Sequence, residues 1–339
     1  MFLSMKKVLP ILCLLAMNLN LFGQMALDVH SHFSTPEFLQ VLAKHDALLD
    51  EGFPIPDWTL EEHLKFMENA GIEKSVLTLP APQPYFGDTG ETAAIIRQTN
   101  EYAARLKADY PDRFLFCAAL PLPDIGAAIK EAIYALDTLH ADGIKLATNS
   151  RGQYLGEAEL DPLMQLLSDR GAVVILHPHK PDPYNQQVMQ QTPLAMYEYL
   201  AETTRALANM ITRNVLARYP GMKVVVPHCG AYMPLAIPRM KAIYPAVLAK
   251  QMVGEIDWDA NLRNLYYDLA GSASAQSIKM MLTITSPDHI MYGSDYPYVA
   301  APVLTMKLKQ LRDELKADAE LAPYIELFMS NNAVKLFEK

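Results

Sequence analysis

Short apolar runs alternate with longer amphipathic segments along almost the whole chain, and this alternation constrains the fold more than any other feature. The runs centre on Leu27–His30, Ser75–Leu79, Phe114–Leu120, Gly143–Leu146, Ala172–His177, Lys223–His228, Leu265–Leu269 and His289–Gly293. Their continuous Val, Ile and Leu character suits parallel strands covered on both faces. Helix signals fill the gaps. Thr59, with Glu62 three residues on, has capping-box spacing ahead of Leu64 and Met67, and Gly71 closes that helix. Glu91–Tyr110 has helical spacing and stops at Pro111. Asp124 caps a helix running to Leu139, and Asp161-Pro162 opens another that ends before Gly171. Pro193–Tyr219 reads as one long helix ending at Pro220-Gly221. Strands alternating with helices predict an α/β fold with right-handed crossovers. Closed on itself, such a sheet is a (β/α)8 TIM barrel, here with helical insertions in the βα loops. An open doubly wound sheet is the alternative, but no Gly-x-Gly-x-x-Gly turn follows an early strand.

The chain has 339 residues, 51% of them hydrophobic. One barrel of about 250 residues plus insertions accounts for that length. The net charge of −9 and the absence of a basic run argue against nucleic acid as a partner. The first residues differ from the rest. Lys6 and Lys7 precede an apolar run from Val8 to Phe22, followed by Gly23 and Gln24. This reads as a signal peptide over residues 1–24, leaving residues 25–339 as a single exported, periplasmic barrel domain. The run falls short of the ~20 residues of a membrane span, and Asn18 and Asn20 interrupt it, so no stable span is expected after processing. Leu12 is bulky where a lipid anchor on Cys13 needs a small residue. Translation from Met25 is the alternative and would make the protein cytoplasmic. Cleavage removes two lysines and no acid, which takes the charge to −11. Cys117 and Cys229 then remain, too few for a disulfide scaffold in a domain of this size.

The polar residues at the ends of the runs carry the chemistry. His30 and His32 are two apart, so on a strand they share a face. A His-x-His pair alone is a weak metal signal. However, His177 ends the fifth run, His228 ends the sixth, and Asp295 closes the eighth. Each lies at the C-terminal end of an apolar strand, where barrel enzymes place their active sites. Buried ionisable groups are costly unless paired or metal-bound, so this placement predicts a metal site.

Four blocks, Asp28-Val-His-Ser-His-Phe33, Leu176-His-Pro178, Pro227-His-Cys-Gly230 and Gly293-Ser-Asp-Tyr-Pro297, resemble the signature blocks of the amidohydrolase superfamily. The resemblance covers nearly all of Leu27–Lys339 and is closest to the branch of aminocarboxymuconate-semialdehyde decarboxylase and related non-oxidative decarboxylases. Leu120-Pro-Leu-Pro-Asp124, Ala135-Leu-Asp, Ala141-Asp-Gly143 and Thr203-Thr-Arg205 are similar to members that act on salicylate-type acids. The resemblance implies that His30, His32, His177 and Asp295 hold one divalent ion. Three imidazoles and a carboxylate suit Zn²⁺, with Mn²⁺ as the alternative. It further implies that His228 is a general acid/base or substrate-orienting group, and that the enzyme is a homo-oligomer. In two-metal members a carboxylated lysine ends the fourth strand, and Lys145 stands there. A lysine packing its stem along the barrel beside a local acid is the plainer reading.

For the substrate, His179, with Lys180 beside it, is positioned to meet a carboxylate. Asn149 and Arg151, after the fourth strand, are candidates for an anionic group. Phe33 and Tyr298 are candidates for stacking on a planar ring, among post-strand aromatics that include Phe53, Trp58, Tyr85, Phe86, Tyr184 and Tyr232. Two reactions suit such a site. In decarboxylation of a small aromatic or unsaturated acid, Asp295 or His228 delivers a proton to the carbon bearing the carboxylate. In hydrolysis of a lactone, ester or amide, the same residues serve as base to a water activated by the ion. The resemblance favours a metal-dependent carboxy-lyase over the hydrolase. Export runs the other way, because decarboxylases of aromatic acids are usually intracellular. A barrel that binds a ligand without turning it over is the remotest alternative, and an intact ligand set argues against it.

Overall fold

Eight strands lie side by side in sequence order: β1 Ala26–His32, β2 Ile72–Thr78, β3 Phe114–Ala119, β4 Gly143–Ala147, β5 Val173–His177, β6 Lys223–Val226, β7 Leu265–Asp268 and β8 Ile290–Met291. Every neighbouring pair is parallel. The sheet closes between β1 and the segment after β8. Val29 N–H donates to the Tyr292 carbonyl at 3.0 Å, Asp295 N–H to the His30 carbonyl at 2.8 Å, and His32 N–H to the Tyr296 carbonyl at 2.7 Å. The architecture is therefore a TIM barrel, and the open doubly wound alternative is excluded. The computed structural model describes residues 25–337, apart from Asp50, Gln186, Gln190, Gln191 and Ser272. The signal peptide expected over residues 1–24 lies outside the described residues, none of which forms a helix long and apolar enough to cross a membrane.

Local signals set most helix ends. Thr59 accepts a hydrogen bond from Glu62 N–H ahead of the helix Leu60–Ala70, and Gly71 terminates it with φ 68°, a left-handed conformation that glycine adopts without strain. Asp124 accepts from Ala127 N–H at the start of Ile125–Asp137. The long helix expected over Pro193–Tyr219 is instead a short turn, Leu194–Met196, followed by Glu198–Thr212 and Val215–Arg218. Asn214 breaks it with φ 54°. Its side-chain amide donates to the Glu255 carbonyl at 2.7 Å and its side-chain oxygen accepts from Asp257 N–H at 2.9 Å. Those tertiary hydrogen bonds replace one more helical turn.

The interior of the barrel is filled by Leu27, Val29, Val76, Leu115, Cys117, Val173, Ile175, Val225 and Met291, and closed by Ala333, Leu336 and Phe337 of the C-terminal helix Asn332–Phe337. A larger apolar layer lies between the barrel and its ring of helices. Strict alternation along β1 would put Leu27, Val29 and Ser31 on one face and both histidines on the other. A register shift between Asp28 and Ser31 changes this, because beyond it His32 pairs with Thr78. Thr78 lies on the same face of β2 as the interior residue Val76. The irregularity thus lets one short strand supply both apolar filling and, above it, inward-facing imidazoles.

Candidate metal centre

Each of the three ligand histidines has one ring nitrogen fixed by an acceptor. His30 Nδ1–H donates to Asp268 Oδ2 at 2.7 Å, and His177 Nδ1–H to the Pro178 carbonyl at 2.9 Å. The Thr78 hydroxyl donates its proton to the Ser31 carbonyl at 2.9 Å and therefore accepts from His32 Nδ1–H, also at 2.9 Å. This arrangement leaves the Nε2 lone pairs of all three rings to converge, as ligating imidazoles require. His30 Nε2 and His32 Nε2 are 3.2 Å apart, and Asp295 Oδ1 lies 3.5 Å and 3.2 Å from them. With His177, the ligand atoms all lie within 4.8 Å of one another. Ligands about 2.0–2.2 Å from a tetrahedral ion are separated by about 3.3 Å, so these residues fit one divalent cation.

At His32, His177 and Asp295 the charges agree with that fit, whereas His30 must give up a proton to the incoming cation. Burial pulls the His32 pKa down to about 4 and, with neighbouring charges, holds His177 well below the usual imidazole range, so both are neutral near pH 7. Burial also disfavours a charged His30, but the Asp268 carboxylate overrides this and raises its pKa to about 9. Burial pushes Asp295 up, yet hydrogen bonding to His228 and His32 outweighs it and keeps the group an anion. Lys145 faces inward on β4 opposite Ile175, buried, with its pKa lowered to about 8 by burial although Glu51 pulls it upward. It makes no hydrogen bond among the described residues. Those residues contain one group of His, Cys, Asp and Glu side chains with metal-ligand spacing.

A cavity of about 540 Å³ opens over the cluster. His177, His228 and Asp295 form its polar end; Phe53, Met196, Leu200, Pro234, Met280 and Tyr298 are among its apolar walls, and among the described residues no lysine or arginine lines it. His228 Nε2 lies 3.7 Å from Asp295 Oδ2, and its Nδ1 is buried without a partner. Tyr298 sits where a ring-stacking residue was expected, its own ring 5.5 Å from that of His32. The other expected substrate contacts lie elsewhere. Phe33 is 3% exposed and packs in the core against Trp58 and Tyr102. Asn149 is buried behind the wall, where its amide donates to the Lys180 carbonyl and to Glu202, holding the hairpin Asn149–Ser150 against Gln153–Tyr154 in place. Arg151 is 65% exposed and lines a separate surface groove with His45 and Phe86. His179 Nδ1 pairs with buried Glu51 instead of facing the cavity.

Three structural contributors escaped sequence reasoning. Asp268 ends β7 as His177 ends β5, and an acid closing an apolar run was the signal for it. Asp28 accepts from His30 N–H, Ser294 N–H and Ser294 Oγ at 3.1, 2.9 and 2.6 Å, tying β1 to the segment that carries Asp295. Burial raises its pKa to about 7. Glu51 comes from a loop 128 residues away from its partner His179, and no local pattern announces such a contact.

The amidohydrolase family profile matches residues 27–339. A protein from Aspergillus niger named decarboxylase yanB is 34% identical over 92% of this chain and 87% of its own length. The 6-methylsalicylic acid decarboxylase of Penicillium expansum is 32% identical over 89% of this chain and 95% of its own. Among solved structures, an amidohydrolase II superposes with a TM-score of 0.84 at 30% identity, covering 93% of this chain and all (100%) of that one. A 5-carboxyvanillate decarboxylase from Novosphingobium aromaticivorans, crystallised with manganese and a hydroxy-methoxy-nitrobenzoic acid, shares the fold with a TM-score of 0.81 at 22% identity, covering 94% of this chain and 97% of its own.

Proposed function

The chain belongs to the amidohydrolase family, and from that premise we propose that its substrate is a 2-hydroxybenzoic acid with one carboxylate and an apolar ring substituent, of which 6-methylsalicylate is the type. The enzyme is a metal-dependent, non-oxidative decarboxylase of aromatic acids; its relatives include decarboxylases named for 6-methylsalicylic acid and gamma-resorcylate. The hydrolytic alternative has no such support.

The observation that carries the substrate proposal is the lining of the cavity. Polar groups stand at the metal end, the remaining walls are largely apolar, and no lysine or arginine among the described residues reaches them. A carboxylate and its ortho oxygen are served at the polar end. A second carboxylate would be stripped of water with nothing to pair it, at a cost of several kcal/mol. A methyl group gains from the same walls at roughly 0.8 kcal/mol per buried carbon.

His30, His32, His177 and Asp295 hold the ion. When bound, it supplies positive charge that orients the substrate carboxylate and stabilises charge on the neighbouring oxygen. His228 and Asp295, side by side at the cavity wall, handle the proton. One of them takes the proton of the substrate's ortho hydroxyl and delivers it to the ring carbon that bears the carboxylate. The bond from that carbon to the carboxylate then breaks, its electron pair restores the aromatic ring, and carbon dioxide leaves. Phe53 and Tyr298, with rings 6.0 Å apart, cover the ring and exclude water from it.

A substrate panel tests this. Carbon dioxide release is expected from 6-methylsalicylate ahead of unsubstituted salicylate, and little from 5-carboxyvanillate. Preference for the diacid would remove the substrate proposal. Lactone turnover without carbon dioxide from any acid would sink the reaction itself. On ligand softness the donor set favours zinc, while a structure of the same fold holds manganese; elemental analysis of protein purified without chelator discriminates. Export and homo-oligomerisation belong to the same proposal. A mature N-terminus close to residue 25 supports the first, and a monomer in analytical ultracentrifugation would remove the second.

A further inference from the structure

We infer that Asp268 is the positioning residue that couples the metal site to His228, orienting a ligating imidazole with one carboxylate oxygen and the backbone of the proton-handling histidine with the other. The role given to His228 rests on the function proposed above; the role toward His30 rests on geometry alone.

Asp268 is fully buried at the end of β7. Its Oδ2 accepts from His30 Nδ1–H at 2.7 Å. Its Oδ1 accepts from His228 N–H at 2.9 Å and from Ala270 N–H at 3.0 Å. All three partners are donors, so the site needs an acceptor at both oxygens. The backbone it anchors is unusual. His228, Cys229, Gly230 and Ala231 have φ values of 55°, 54°, 74° and 52°, and three of these residues carry side chains that disfavour this region. Such a turn persists only where surrounding contacts hold it. The Asp268 hydrogen bond to His228 N–H is placed at its first residue. On the other side the fit is close. A Cβ on Gly293 would meet His30 Cβ at 2.8 Å and Asp268 Cβ at 3.2 Å, so a glycine there lets these two side chains lie against each other.

This arrangement makes Asp268→Asn and Asp268→Ala separable. An asparagine has one acceptor end and one donor end, so one of its contacts becomes donor against donor. The backbone N–H groups of His228 and Ala270 cannot give up their protons, but His30 can move its proton from Nδ1 to Nε2. The amide NH₂ therefore faces His30 and drives that shift, and Nε2 is the nitrogen aimed at His32 and Asp295. Alanine leaves a hole in which water can accept the same hydrogen bonds. If Asp268 only fills space, the near-isosteric asparagine is the milder change. If it positions, asparagine is the harsher one.

The experiment measures Mn²⁺ affinity by chelator competition on the full chain and on D268N, D268A and G293A, with circular dichroism to confirm folding and kcat read at saturating Mn²⁺. D268N should bind Mn²⁺ about 10–100-fold more weakly than wild type, the range seen on losing an outer partner of a ligating histidine. It should also bind more weakly than D268A. D268N within twofold of wild type, or D268A the weaker binder, overturns the inference. Should D268N not fold, G293A provides the second test. It wedges His30 from Asp268 without touching either charge, should weaken Mn²⁺ binding several-fold, and refutes the inference if affinity is unchanged. Mn²⁺ affinity does not depend on which acid is turned over, so a wrong substrate leaves this test standing.

Discussion

At one end of the barrel the strands lead into His30, His32, His177, Asp268 and Asp295; farther down, the same strands carry Leu27, Val29, Val173 and Val225, closed off by Leu336 and Phe337. The lower region follows local packing rules, with apolar side chains buried against one another and Lys145 the inward-facing polar group above them. The mouth breaks several. It buries imidazoles against one another, leaves His228 Nδ1 without a partner, and holds Asp295 at φ 65° and His228 at φ 55°. Departures from local preference gathered in one place mark where stability is yielded to chemistry. The separation implies that the two regions fail differently when mutated.

The sharpest way to break this contrast is at Asp295. D295N should lower kcat by about 10²–10⁴-fold, the range for losing a positioned proton-transfer group, while the thermal midpoint stays near wild type. Steady-state kinetics with calorimetry checks both; full activity would refute the site. At His228 the effect should be smaller and confined to turnover. H228A should lose about 10²-fold in kcat with metal content unchanged, and loss of metal on elemental analysis would make His228 a ligand instead. The lower region predicts the converse. L336A should destabilise by about 2–5 kcal/mol in denaturant titrations and leave kcat of the folded protein intact. A slowed kcat there would show that the two regions are not separable.

Near neutral pH the smallest effect belongs to a histidine in neither region. His63 is fully buried on the outer face of the barrel, with Trp58 Nε1–H donating to its Nδ1 and its Nε2 unpartnered. Burial lowers its pKa from 6.5 to about 3. Between those values the unfolded chain takes up a proton that the folded chain refuses, so stability falls as pH falls through that window. The limiting slope is about 1.4 kcal/mol per pH unit. H63Q should flatten that part of the stability profile relative to wild type, and parallel profiles would show that His63 does not carry it.

The fold was legible because parallel strands buried on both faces announce themselves as apolar runs, and the metal site because its residues end those runs. The rest was hidden for physical reasons. The register shift in β1 leaves no mark in Asp28-Val-His-Ser-His, although it decides which way the histidines face. Phe33, Asn149 and Arg151 follow strands as wall residues do, but core packing claims the first, the hairpin the second and an outer groove the third. The break at Asn214 depends on Glu255 and Asp257, some 41 and 43 residues on. Contacts of that range have no local signature.

The helix Asn332–Phe337 also bears on how the enzyme is made. The ligand His30 is among the first described residues to leave the ribosome, and the helix that closes the barrel interior is among the last. A growing chain can therefore present His30 and His32 long before the barrel beneath them is sealed. A fusion or truncation at the C-terminus acts on that final step, so a tag placed there risks lowering the yield of folded enzyme even though it lies far from every catalytic group.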